Sequence, residues 1–105
     1  MSTRQTAAQR LDKDDNVIAN ATNLLKAMAN ENRLRILCLL DEGELSVSEL
    51  NAKLALSQSA LSQHLAILRR EGLVATRRSS QTIYYSLQGD EARTVVDTLA
   101  KLYAG

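Results

Sequence analysis

At Gly72 the apolar pattern of this chain changes period, and no other feature limits the possible folds as much. Before it, Leu61, Leu65 and Leu68 recur at helical spacing; after it, residues 73–76 (LVAT) and 82–87 (TIYYSL) read as strands. Between the strands lies Arg77-Arg78-Ser79-Ser80-Gln81. The segment therefore reads as a helix over residues 57–70 followed by a β-hairpin with a basic tip. Gly72 is well placed as the left-handed terminator of that helix.

Upstream, the spacing predicts three more helices. Val17, Ala21, Leu24, Leu25 and Met28 place the first over residues 17–29. Asn30 can cap the second, with Glu31 at the positive end of its dipole, Leu34, Leu37 and Cys38 as its buried stripe, and Gly43 closing it. Ser46 and Glu49 have the spacing of a capping box, and Val47, Leu50 and Leu54 form the inward face of a short third helix. Only Ala55 and Leu56 separate it from the helix that Ser57 starts, which is the spacing of a helix-turn-helix. Asp90 can cap a last helix whose stripe is Val95, Val96, Leu99, Leu102 and Tyr103. Residues 1–16 show no apolar period, and Arg4, Arg10 and Lys13 offset Asp12, Asp14 and Asp15, so they are expected to form a flexible arm. The fold class is mainly α with a small β-hairpin, in the order α-α-α-α-β-β-α, with one domain over residues 17–105.

Composition bears on assembly. A chain of 105 residues without Phe or Trp, and with three Tyr, builds its core from small aliphatic side chains and gains much from a partner. The two end helices carry more apolar surface than the central unit needs, which predicts a homodimer through the first and last helices. The longest apolar run, residues 36–40, is far too short to span a bilayer. One cysteine and a polar N-terminal stretch lead to an expectation of a cytoplasmic protein.

The charge is unevenly placed. Residues 41–56 hold four acids against Lys53, a net of −3, whereas residues 57–87 hold four arginines against Glu71, a net of +3. A helix over residues 57–70 is about 20 Å long and narrow enough for a major groove. Gln58 and Gln63 can address adenine edges, while Ser57, Ser59, Ser62 and His64 can reach bases or phosphates. Arg69, together with Arg77, Arg78 and Gln81 of the hairpin, is placed to meet the backbone of double-stranded DNA. A polar helix face alone is most often merely solvated; here it stands between a scaffold helix and a basic hairpin, in the order of a DNA-binding wing. An enzyme is disfavoured, because one Cys and one His come with no phosphate cradle or glycine fingerprint. A protein-interaction module on the same fold is the other alternative.

The segments LLKAMANENRLRILCLL, ELSVSEL, LSQSALSQHLAILRREGLV and TRRSSQTIYYSL resemble successive signatures of the ArsR/SmtB family of bacterial winged-helix regulators, over about residues 17–104. Within it they are most similar to the HlyU-like and BigR-like branch. The resemblance implies a dimeric repressor or anti-silencing activator that binds an imperfect, AT-rich inverted repeat. Many family members bind metal through a Cys-Val-Cys sequence, but here those positions are Ser46 and Ser48, and the last helix has no His, so no metal or other cofactor is expected. The branch also implies oxidant or reactive-sulfur sensing by a Cys at position 38 with a second one near the C-terminus. This chain has Leu102-Tyr103-Ala104 there, which leaves single-thiol chemistry at Cys38, a constitutive DNA-binding state, or a buried structural cysteine.

Overall fold

Thr6, Asp14, Asn30, Ser46 and Ser57 each precede a helix, and each turns a side-chain oxygen onto an amide of the first turn. Such caps contribute about 1 kcal/mol apiece and fix where each helix begins. In the computed structural model, which describes residues 4–105, they start α1 (Ala7–Leu11), α2 (Asp15–Met28), α3 (Glu31–Asp41), α4 (Val47–Lys53) and α5 (Gln58–Arg70). The predicted capping box is complete at α4: Ser46 Oγ accepts from Glu49 N at 3.1 Å, and Ser46 N donates to Glu49 Oε1 at 2.9 Å. Beyond Gly72 come β2 (Val74–Ser79), β3 (Thr82–Leu87) and α6 (Glu91–Tyr103).

Within the segment expected to form an arm, a second capping box between Thr6 and Gln9 opens α1, none of whose residues is buried; residues 1–3 lie outside the described residues. Two expectations need correction. Asp90 makes no side-chain cap: its backbone (φ −108°, ψ −8°) is in the helical region, not in the extended conformation of a capping residue. Cys38 is exposed rather than part of the buried stripe. Ile36, Leu37 and Leu40 are the buried residues of α3, and at 100° per residue Cys38 falls on the far side from the centre of that arc.

A two-residue strand, β1 (Leu45–Ser46), pairs antiparallel with Tyr85 and Tyr84 of β3, giving a three-stranded sheet in the order β1-β3-β2. The hairpin register runs from Val74 opposite Leu87 to Ser79 opposite Thr82, with Ser80 at φ 58° in the turn. The core lies where α3, α4, α5 and this sheet meet: Ile36, Leu37, Leu50, Leu61, Leu68 and Val74 are essentially inaccessible. Ala27 and Met28 of α2 and Ala92 and Val96 of α6 close it.

Elsewhere α2 and α6 are bare. Leu25, Leu102 and Tyr103 are 58%, 68% and 85% exposed, and an apolar groove between α2, α3 and α6 is lined by Leu25, Met28, Leu34, Val95 and Leu99. The radius of gyration, 16.0 Å, exceeds the roughly 13 Å of a compact chain this long. Exposed aliphatic surface on the end helices is the surface predicted to meet a second copy. Among the described residues, no helix is long and apolar enough to cross a membrane.

Candidate nucleic-acid interface

The orientation of α5 follows from its three buried leucines. With Leu61, Leu65 and Leu68 turned inward, the 100° step places Ser59, Gln63, Ala66 and Arg70 opposite them, with Ser62 beside. All five are exposed. Ser57, Gln58 and Arg69 are exposed too, but Ser57 is committed as the cap, its Oγ accepting from Ala60 N at 3.1 Å. At the other end, Gly72 (φ 75°) donates to Arg69 O and Leu73 to Leu68 O, the two bonds of a Schellman turn. That turn leads the chain straight into β2, which fixes the hairpin relative to the outward face of α5.

The wing arginines differ from expectation and from each other. The tip is Ser80-Gln81, so both arginines lie within β2. Arg77 is opposite Tyr84, with its guanidinium 4.6 Å from the ring centroid, and it grips Glu44 through Nε (3.0 and 2.8 Å) and Nη2 (2.7 Å). Its hydrogen bonds to Glu44 push the guanidinium pKa further above its ordinary value. Arg78 is exposed opposite Ile83, and among the described residues no acid pairs with it or with Arg69. The unpaired positive charge of this face therefore sits on Arg69, Arg78 and, loosely held by Glu71 at 3.8 Å, Arg70. Gln81 is exposed at the tip.

His64 lies on the flank of α5, half-buried, with Nδ1 3.4 Å from Nη1 of Arg33. It is the one candidate DNA-contacting side chain on α5 held from inside the domain. Ser48 and Asn51 of α4 line a cleft with Gln58, which places two further polar side chains beside the start of α5. Sequence reasoning missed both; their signal is the i, i+3 spacing of exposed polar residues on α4, away from buried Leu50.

Cys38 stands apart from this face. The thiol pKa is raised by partial burial and then by the carboxylates of Asp41 and Glu42. Access is open, but the thiolate, the reactive form, is disfavoured. Among the described residues there is no cluster of three or more His, Cys, Asp or Glu side chains that could hold a metal ion.

A scaffold helix, a polar-faced helix four residues further along the chain and a hairpin joined to its end define a winged helix-turn-helix. Residues 30–76 match the family described as bacterial regulatory protein, arsR family. The chain is 55% identical over 95 residues to the transcriptional activator HlyU of Vibrio cholerae serotype O1, covering 90% of this chain and 85% of that protein. A solved structure of HlyU from V. cholerae superposes with a TM-score of 0.83 at 54% identity, over 88% of this chain and 100% of that chain. The transcriptional repressor BigR from Xylella fastidiosa gives 0.81 at 37% identity, over 93% and 97%. A homodimeric winged helix-turn-helix DNA-binding domain from Mycobacterium bovis gives 0.76 at 25%, over 96% and 89%. This chain belongs to the arsR family of bacterial regulatory proteins.

Proposed function

We propose that this chain, a DNA-binding transcriptional regulator of the arsR family, reads an imperfect inverted repeat as a homodimer, with α5 of each subunit in a major groove and β2–β3 over the adjoining backbone. The observation that carries this reading is the outward face of α5: Ser59, Gln63 and Arg70 are exposed directly opposite three buried leucines, with exposed Ser62 beside them. Gln63 has the paired donor and acceptor that match an adenine edge, and Gln58, Ser59 and Ser62 flank it. Arg69, Arg78 and Gln81 meet phosphates and set register. AT-rich flanks, with their narrow minor groove, suit the arginine-bearing wing.

Occupancy of such a site represses a promoter or displaces a silencing protein, according to promoter layout. Among the proteins this chain resembles, HlyU is named an activator and BigR a repressor. Both outcomes use the same contacts. A regulator of this kind works in the cytoplasm and needs no catalytic step. Any thiol response at Cys38 is that of an exposed thiol whose pKa is raised by partial burial and by Asp41 and Glu42, and it proceeds without a second cysteine.

The test is selection of duplexes from a random pool by the purified protein at fixed salt. The expected product is an inverted repeat with half-sites about 34 Å apart, one helical turn, and Gln63→Ala relaxes the preference at one position of each half-site. Enrichment of no sequence, or of a single asymmetric site, would overturn the reading.

A further inference from the structure

Arg33 is the residue through which three helices meet. Its Nε donates to the carbonyl of Ala27 at 2.6 Å and its Nη2 to that of Lys26 at 3.3 Å. Both carbonyls belong to the last turn of α2, where intrahelical donors have run out. Its Nη1 lies 3.4 Å from Nδ1 of His64 on α5. Because arginine only donates, a hydrogen bond between the two has Nδ1 as its acceptor. The backbone of Arg33 is itself pinned, since its N–H donates to Asn30 Oδ1 at 3.1 Å. One planar fork, rising from a capped helix start, thus joins the end of the helix expected to dimerise to the flank of the helix expected to read DNA.

We propose that Arg33 is a positioning residue for DNA recognition: acting through His64, it sets the rotation of α5 against the C-terminal end of α2. This rests on the reading of α5 as the DNA-contacting helix. Side chains on a helix surface sit about 5–6 Å from its axis, so a 10° rotation of α5 displaces them by about 1 Å. A bidentate glutamine–adenine pair does not survive that displacement, whereas phosphate contacts by flexible arginines do. In a dimer the α2 segments also set the spacing of the two recognition helices, so the link ties that spacing to the rotation of each helix. Lysine at 33 keeps the charge but cannot reach the carbonyls and His64 at once, because it lacks the fork.

The experiment compares affinity for the duplex selected by the wild-type protein with affinity for random duplex, by fluorescence anisotropy at fixed salt, alongside the dimer dissociation constant from sedimentation. Arg33→Lys is expected to lose about tenfold for the selected site, about 1.4 kcal/mol, with random-duplex affinity and dimerisation unchanged. His64→Leu, which removes the acceptor from the surface end of the link, is expected to lose as much, and the double variant no more than either. His64→Asn, whose Oδ1 can stand where Nδ1 stands, is expected to recover part of the preference that His64→Leu loses. The proposal is overturned if Arg33→Lys weakens selected and random duplex equally, if the two losses multiply, or if His64→Asn falls as far as His64→Leu, which would make His64 a direct DNA contact. If the wild-type protein selects no sequence, the reading of α5 itself fails, and that is seen before any variant is measured.

Discussion

Arg77 and Arg78 are neighbours in sequence, yet their surroundings assign them different parts in DNA binding. Arg77 is neutralised by a two-point grip on Glu44 and lies over Tyr84, while Arg78 meets no acid among the described residues. Each phosphate contact contributes about 0.9 to the slope of log affinity against log salt, and a dimer has two wings. Arg78→Ala should therefore reduce that slope by about 1.8, which extrapolates to about a 30-fold loss at 0.15 M salt relative to 1 M. Arg77→Ala should leave the slope almost unchanged, because the charge it removes is already balanced by Glu44. Glu44→Gln should raise the slope, by releasing Arg77 toward the DNA. Anisotropy titrations of one duplex over 0.1–0.4 M salt measure all three. Equal slope losses for Arg77→Ala and Arg78→Ala would refute the assignment, and would mean that Arg77 leaves Glu44 when DNA binds.

Three other outcomes follow from the same structure. The Glu49 carboxyl is held below its ordinary value by the Ser46 backbone and side-chain hydrogen bonds, so its contribution is present above the usual glutamate range and is lost as pH falls through the lower folded value. Glu49→Gln should flatten the acid limb of a thermal-melt series below about pH 4.5. Cys38, exposed but disfavoured as thiolate, should react with iodoacetamide more slowly than a free cysteine at pH 7.5, and Asp41→Asn with Glu42→Gln should accelerate it; a rate equal to free cysteine in the unaltered protein would contradict the raised pKa. Leu102→Glu with Tyr103→Glu should shift the protein to monomer in sedimentation and abolish preference for an inverted repeat, while leaving the melting temperature of the central core within a few degrees.

Helix starts were legible because an N-cap is a local chemical requirement: Asn30, Ser46 and Ser57 do in the structure what their residue types allow. The outward face of α5 was legible for a similar reason, since three leucines at fixed spacing leave only one face for solvent. What escaped the sequence depends on contacts distant along the chain. Strand β1 is two residues long and exists only because Tyr84 and Tyr85 lie beside it. The grip of Glu44 on Arg77 spans 33 positions and that of Arg33 on His64 spans 31, so neither carries a local signal. Cys38 was misplaced by a helical phase set on Leu34; the buried arc is centred on Ile36, Leu37 and Leu40, about 100° further round. At Asp90 the residue type suited a cap but the backbone angles did not.

The central claim is that α5 enters the major groove twice, one turn apart. Cys38 is the only cysteine, so a Cys38→Ser chain carrying Ser59→Cys offers a single point for attaching a DNA-cleaving iron chelate to the outward face of α5. On the selected duplex the account predicts cleavage confined to two symmetric clusters about one helical turn apart. Cleavage spread evenly along the duplex, or confined to one end, would contradict it.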